Sequence, residues 1–227
     1  YEISIDPTFS VSRLSLLDRG VVFAIAHVRG GGELGRAWYD QGKVLTKWNT
    51  FTDFAACADH LVAEGYTSPE RLAARGGSAG GLLMGVVANA WPEKFQAIHA
   101  QVPFVDALTT ILDPDLPLTV TEWEEWGDPL HDADVYAYMK SYTPYENVAD
   151  QDYPAILATT SLNDTRVYYV EPAKWVAALR ATAGATTRRP VLLKTEMVAG
   201  HGGVSGRYAG WREVAFANAW VLDQIAG

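Results

Sequence analysis

The chain of 227 residues has the length of one large domain, and 48% of its residues are hydrophobic, enough to bury a substantial core. Its formal net charge of −9 argues against a nucleic-acid surface and is compatible with a small cationic partner. No apolar run approaches the roughly 20 residues that cross a bilayer, and the first residues lack the basic start and apolar stretch of a signal peptide. We therefore expect a globular protein that binds neither nucleic acid nor membrane.

Five short apolar runs have the length and composition of buried parallel strands. In chain order they are residues 21–28, 71–77, 97–103, 155–161 and 191–197. Helical spacing of apolar residues separates most of them, at residues 50–64, 81–90, 171–183 and 211–226. The acidic and aromatic region 104–150 predicts short helices over one end of the sheet. Strands that alternate with helices predict an α/β fold with a mostly parallel sheet.

Two smaller features also carry expectations. The single cysteine, Cys57, excludes an internal disulfide and is typical of a reducing compartment, so we expect a cytoplasmic protein with this thiol in its core. The stretch RGGGELG, residues 29–35, lacks the spacing of a phosphate-binding loop. It predicts a tight loop closed by a charge pair between Arg29 and Glu33.

The stretch RLAARGGSAGGLLMG passes from a strand pattern through a glycine-rich turn to a helical pattern. Within it Gly76, Ser78 and Gly80 match G-x-S-x-G, the nucleophile elbow. A serine on such a strained turn needs flanking residues without side chains, and the N-terminus of the next helix faces the charge that develops in acyl transfer. The motif predicts Ser78 as nucleophile and the backbone N–H of Ala79 as an oxyanion donor. The alternative is a tight glycine turn with an incidental serine.

A serine nucleophile needs a base, and His201 follows the last predicted strand in a glycine-rich loop. Asp164 follows the fourth predicted strand, where its carboxylate can fix the imidazole tautomer. The chain order Ser78, Asp164, His201 is that of α/β-hydrolases, and loops after parallel strands meet at one edge of a sheet. No histidine pair has the H-E-x-x-H spacing, so we expect neither a metal nor another cofactor. The four other histidines are expected to be structural: His27, His60, His99 and His131.

With these motifs the chain resembles the catalytic domain of the prolyl oligopeptidase family, and most closely its oligopeptidase B branch. The resemblance covers essentially all residues and includes SVSRLSLLDRG, GGSAGGLLMG, TEWEEWGDP and AGHGGVSGR. It implies a serine peptidase that hydrolyses short peptides through an acyl-enzyme intermediate, with Ser78, Asp164 and His201 as its triad. It further implies that residues 1–227 are the C-terminal part of an α/β-hydrolase domain. The first hydrolase strands and an N-terminal β-propeller would then belong to the same protein outside this chain.

The resemblance also implies a second oxyanion donor, a tyrosine hydroxyl that lies upstream of the matching start. Tyr1 does not align with that tyrosine. The oxyanion hole is therefore expected to be incomplete within this chain.

The stretch TVTEWEEWGD carries three glutamates between and beside its tryptophans. The resemblance assigns Glu122 and Glu124 to the basic side chain of the P1 residue, and carboxylates suit both a guanidinium and an ammonium. Glu125 is expected to face solvent or a hinge. The resemblance also suggests that Arg166 grips the substrate backbone and that Asp6 helps with a basic P2 residue.

Two other functions remain open from the sequence. One is a proline-specific or acylaminoacyl peptidase of the same family, in which Trp123 stacks on a proline ring and the glutamates are incidental. The other is a catalytically silent, hydrolase-like binding module. The P1 preference separates the first from a peptidase for basic residues, and the reaction of Ser78 with a fluorophosphonate separates the second. The physiological peptide, the oligomeric state and the choice between arginine and lysine stay open.

Overall fold

A computed structural model describes residues 1–226. Four strands form one parallel sheet in the order β1-β2-β3-β4. They are β1 (Ala73–Gly77), β2 (Ala97–Gln101), β3 (Ala155–Ser161) and β4 (Val191–Glu196). Because all four run in the same direction, the loops that follow them lie together at the carboxyl end of the sheet. Four of the five predicted strands are thereby confirmed.

Helices connect and cover these strands. The α-helices of the described residues are α1 (Val11–Leu17), α2 (Arg36–Asp40), α3 (Trp48–Ala63), α4 (Ala79–Ala90), α5 (Ala107–Ile111), α6 (Thr119–Trp126), α7 (Ala133–Tyr142), α8 (Val170–Ala183) and α9 (Arg207–Ile225). The four predicted helical segments correspond to α3, α4, α8 and α9. The short helices α5 to α7 occupy the acidic region between β2 and β3. In residues 1–226, no helix combines the length and apolar character that a membrane crossing requires.

The core lies between the sheet and helices α4 and α8. Leu82 and Met84 of α4, Ile98 of β2, Ile156 of β3 and Trp175 of α8 are all fully buried. Strands β2 and β3 are buried at nearly every position, whereas β1 and β4 at the edges are more open. Central strands of a parallel sheet are covered on both faces, which explains their continuous apolar pattern.

Residues 21–28 do not form a strand, so the prediction of a fifth strand is wrong. They pair with no strand of the sheet within residues 1–226. Val22 in this segment is 62% exposed, and Phe23 is exposed as well. The run has the composition of a buried strand, but a strand also needs the backbone groups of a neighbour. No described segment supplies them here.

Arg29 pairs with Asp53 of α3, so the predicted pair with Glu33 is wrong as well. The guanidinium donates to both carboxylate oxygens, at 2.8 Å from Nε and 2.6 Å from Nη2. Glu33 Oε1 instead accepts a bond from the backbone N–H of Ile5 at 2.9 Å. The loop is therefore tied to a helix and to the N-terminal segment rather than closed on itself.

Candidate active site

Ser78 lies on the turn between β1 and α4. Its backbone has φ 56° and ψ −118°, a conformation that residues with a side chain rarely adopt. The N–H of Ser78 donates to Gln101 O at 2.9 Å, and the N–H of Phe104 donates to Ser78 O at 3.1 Å. These bonds to the last residue of β2 and to the loop after it hold the strained turn in place. The serine is thus fixed by backbone geometry at the carboxyl end of β1.

Glycines allow this turn, although not all of those that the motif specifies are crowded. A Cβ on Gly76 would collide with the carbonyl group of Gly80, and a Cβ on Gly81 would collide with Pro103. A Cβ on Gly80 would meet no atom within 4 Å apart from its chain neighbours and the backbone of its own helix. The expectation that both motif glycines are crowded therefore holds for Gly76 and is wrong for Gly80. On the helix side the close contact falls on Gly81, which packs against the loop after β2.

Asp164 and His201 form a hydrogen-bonded pair after β3 and β4. His201 Nδ1 lies 2.7 Å from Asp164 Oδ2, with the carboxylate fully buried and the imidazole mostly buried. The other oxygen, Oδ1, accepts the backbone N–H groups of Arg166 at 2.9 Å and Val167 at 3.0 Å. Because a carboxylate oxygen only accepts hydrogen bonds, the neutral imidazole that pairs with it carries its proton on Nδ1 and presents Nε2 as an acceptor.

A cavity of about 100 Å³ brings the elbow and the Asp164 loop together. Its wall includes Ser78, Ala79 and residues 165–168. Among residues 1–226, the His201 ring is hydrogen-bonded to Asp164 and not to Ser78. Catalytic hydrogen bonds are often long in sites without substrate, and the His201 loop contains several glycines. The arrangement therefore places a serine hydroxyl, an imidazole and a buried carboxylate at the carboxyl end of the sheet.

Helix α6 contributes a carboxylate to the same cavity. Glu122 and Trp126 both line it, one helical turn apart. The indole Nε1 of Trp126 donates to Glu122 Oε2 at 2.7 Å. Trp126 is only 2% exposed and packs against Phe104, another residue of the cavity wall, with 5.4 Å between ring centroids. A negative charge thus lies in the cavity that Ser78 borders.

The three glutamates of α6 have three different environments. Glu122 lines the cavity, whereas Glu124 is exposed and does not line it. Successive helical residues are separated by about 100°, so Glu122 and Glu124 lie on nearly opposite faces. Glu125 forms an ion pair with Nζ of Lys47, a side chain with 0% exposure, and is itself 13% exposed. The expectation that Glu125 faces solvent or a hinge is wrong, because a buried cation pairs with it.

Lys47 is enclosed by aromatic rings behind α6. Its Nζ lies 3.3 Å from the ring centroid of Tyr1 and 4.9 Å from that of Trp126, and it donates to Gly42 O at 2.9 Å. Burial lowers the pKa of Lys47 to about 8, while Glu125 opposes that shift. Tyr1 also reaches the elbow, where its hydroxyl donates to Ala79 O at 3.3 Å. Burial raises the pKa of the Tyr1 hydroxyl, so this group stays protonated.

The remaining predicted residues lie at different distances from the cavity. Arg166 is exposed and belongs to the wall. Asp6 is exposed in the N-terminal segment and does not line the cavity. Trp123 is also absent from the wall, because its Nε1 donates to Ile111 O at 3.3 Å and its ring packs edge-on against His131. The residue that would stack on a proline ring in the alternative function is therefore directed elsewhere.

Sequence reasoning missed two buried ionisable side chains near the site, Lys47 and Glu171. Glu171 of α8 accepts the N–H of Asp106 at 2.9 Å and the hydroxyl of Thr110 at 2.7 Å. Burial raises the pKa of Glu171 to about 7. Thr110 lines the cavity, so its hydrogen bond to Glu171 fixes one residue of the cavity wall. A lone lysine or glutamate at a helix start gives no local signal of burial; the only hint was the excess of acid in α6.

Comparison with known proteins adds the family context. A model of the prolyl oligopeptidase family matches residues 7–227. Protease 2 of Moraxella lacunata and dipeptidyl aminopeptidase BI of Pseudoxanthomonas mexicana are each 54% identical over 225 residues, 99% of this chain. The structure of oligopeptidase B from Leishmania major matches with a TM-score of 0.96 and 50% identity over 99% of this chain. The chain spans 32%, 31% and 31% of those three proteins, about a third of their length.

Proposed function

The chain belongs to the prolyl oligopeptidase family, and we propose that within its complete protein it hydrolyses short peptides after arginine or lysine through an acyl-enzyme intermediate. One observation carries the proposal. Glu122 and Ser78 line the same cavity, so a P1 side chain that enters it beside the serine meets a carboxylate. The relatives and the fold support peptidase chemistry, and the carboxylate supports a basic P1 residue.

The hydrogen-bonded Asp164–His201 pair and the position of Ser78 on the elbow support the following chemical step. His201 Nε2 takes the proton of the Ser78 hydroxyl as its oxygen attacks the peptide carbonyl carbon, and then gives that proton to the leaving amine. The buried Asp164 carboxylate stabilises the imidazolium that forms in between. The N–H of Ala79, at the start of α4, donates to the carbonyl oxygen as it becomes negative. Water then repeats the sequence on the ester and releases the peptide acid.

Selection of the substrate would fall mainly on Glu122. A guanidinium or ammonium placed in the cavity pairs with this carboxylate in a partly desolvated environment, where charge-assisted bonds are strong. Arg166 stands on the same wall and would bind a backbone carbonyl of the substrate. Glu124 and Asp6 lie outside the wall, so any part that they play would be attraction of a basic peptide from a distance.

The rest of the complete protein is part of the same proposal. Because the chain spans about a third of its relatives, we propose that further segments supply the first strands of the hydrolase sheet and a β-propeller. They would also supply the tyrosine hydroxyl that completes the oxyanion hole. A cytoplasmic location stays a prediction from the single cysteine.

A second candidate is release of dipeptides from a free amino terminus. The dipeptidyl aminopeptidase BI of P. mexicana is as similar to this chain as Protease 2, at 54% identity. The two activities differ in whether the substrate's amino terminus is recognised. Substrates with blocked and with free amino termini therefore separate them.

The test uses the complete protein and peptide substrates that differ only at P1: arginine, citrulline, which is its uncharged analogue, and proline. We expect kcat/KM to be about 10- to 100-fold higher for arginine than for citrulline, the range of a hydrogen bond to a charged group. Glu122→Gln is expected to bring the arginine-to-citrulline ratio of kcat/KM close to one. The matched control, Glu124→Gln on the exposed face of the same helix, is expected to keep nearly all of it. Equal rates for arginine and citrulline, or a preference for proline, would contradict the proposal.

A further inference from the structure

The hydrogen bond between Trp126 and Glu122 has a consequence for how basic substrates are chosen. We propose that Trp126 is a positioning residue for P1 selection, whose indole N–H holds the Glu122 carboxylate in the orientation that meets the incoming cation. This inference rests on the proposed function. In this proposal Glu122 binds the cationic P1 side chain, and Trp126 orients the Glu122 carboxylate.

The geometry of the pair commits both partners. An indole has a single hydrogen-bond donor and no acceptor, and that donor lies 2.7 Å from Glu122 Oε2. The two residues are four positions apart on α6, where helical side chains meet. Both line the cavity with Ser78. Trp126 therefore holds one carboxylate oxygen, Oε2. The single indole donor is then used, so it does not bind the other oxygen, Oε1.

The indole itself is held by contacts that a substrate in the cavity need not alter. Phe104 packs on it at 5.4 Å and Tyr1 edge-on at 6.1 Å between ring centroids. The Lys47 ammonium lies 4.9 Å from its centroid, in the range of a cation–π contact, and pairs with Glu125 of the same helix. With 2% exposure, the ring cannot turn without displacing these neighbours. The direction of its N–H is thus set by packing.

A fixed carboxylate binds a cation better than a mobile one. A glutamate side chain that is free in a cavity loses rotamer freedom when it pairs with a guanidinium, and this loss weakens binding. In this site the Trp126 bond imposes the orientation before the substrate arrives. The loss of that bond should therefore weaken pairing with a basic P1 side chain and leave a neutral one unaffected.

The test compares Trp126→Phe with Trp123→Phe in the complete protein. Phenylalanine keeps an aromatic ring against Phe104 and removes the N–H. Trp123 is a matched control, because it lies on the same helix and donates its N–H to Ile111 O, away from the cavity. We expect Trp126→Phe to lower the arginine-to-citrulline ratio of kcat/KM about tenfold, chiefly through KM for arginine. Trp123→Phe is expected to keep the ratio of the unmodified protein.

Two further variants make the outcome decisive. Trp126→Phe combined with Glu122→Gln should lower the ratio no more than Glu122→Gln alone, because both act through one carboxylate. Replacement of Trp126 by benzothienylalanine keeps the bicyclic ring and exchanges N–H for sulfur. It should reproduce the effect of Trp126→Phe, and it serves if phenylalanine disturbs folding.

Three results would overturn the inference. Equal loss on arginine and citrulline substrates would show a purely structural role for Trp126. An unchanged ratio in the Trp126 variants, with Glu122→Gln still effective, would remove this inference and leave the proposed function standing. No preference for arginine in the unmodified protein would remove both.

Discussion

The carboxyl edge of the sheet and helix α6 border one cavity, but different forces hold their functional groups. Ser78 is held by backbone hydrogen bonds and close glycine contacts, and Asp164 by two backbone N–H donors. Glu122 is held by a side chain, Trp126, which in turn packs on Phe104 and Lys47. In the proposed function, the chemical step would therefore depend on the path of the chain, whereas the choice of P1 residue would depend on side-chain packing. Substitutions on α6 should change selectivity without stopping the reaction.

The substitution with the largest expected effect on kcat/KM is Ser78→Ala, at the carboxyl end of the sheet. Ser78→Ala is expected to lower kcat/KM by about 10⁵-fold or more on arginine and citrulline substrates alike, because it removes the attacking oxygen. Initial rates of the complete protein measure it. Ser15→Ala on the exposed face of α1 serves as the control. Residual activity within tenfold of the unmodified protein would place the nucleophile elsewhere.

Asp164→Asn should have the next largest effect. The amide cannot stabilise the imidazolium and favours the wrong imidazole tautomer, so kcat should fall by about 10³- to 10⁴-fold on both substrates. The Asp164 oxygen that accepts from Arg166 and Val167 keeps its role in the asparagine variant, which limits damage to the loop. A loss confined to arginine substrates would mean that Asp164 acts in selection and not in the chemical step.

The elbow glycines offer a matched pair for stability. Gly81→Ala places a Cβ against the Pro103 backbone and should lower the free energy of unfolding by about 3 kcal/mol. Gly80→Ala meets open space within a helix and should be neutral or stabilise by up to about 1 kcal/mol. Denaturant unfolding of the complete protein measures both. If Gly80→Ala were the more damaging of the two, the packing described at the elbow would be wrong.

The effect of Glu171 on stability should depend on pH. Burial raises its pKa from 4.5 to about 7, so the folded state binds a proton that the unfolded state has already released between those values. Its stabilising contribution is full below pH 4.5 and is lost as the pH rises through 7, by about 3 kcal/mol at most. Glu171→Gln should flatten this part of the stability profile. Parallel profiles for the two proteins would contradict the buried, protonated state.

The fold and the site differ in what the sequence could predict. The positions of Ser78, Asp164 and His201 after β1, β3 and β4 were predictable because each follows a strand pattern and carries a local turn pattern, and their catalytic roles stay predictions. The prediction of a strand over residues 21–28 was wrong because an apolar pattern is a local property, whereas a strand also needs a neighbouring strand that is distant in sequence. The prediction that Glu125 faces solvent or a hinge was wrong for the same reason. Its ion-pair partner Lys47, which makes its burial possible, lies 78 positions away in the sequence. The crowding at Gly81 rather than Gly80 depends on how α4 packs against Pro103, which no motif states.

The division between chemistry and selection is tested most directly by a small fluorophosphonate that lacks a P1 side chain. Peptide mapping after reaction of the complete protein should find the adduct on Ser78. The rate of labelling should be the same in the unmodified protein and in Glu122→Gln, and labelling should be absent in Ser78→Ala. An adduct on another residue, or a Ser78 that no longer reacts once Glu122 is neutralised, would contradict it.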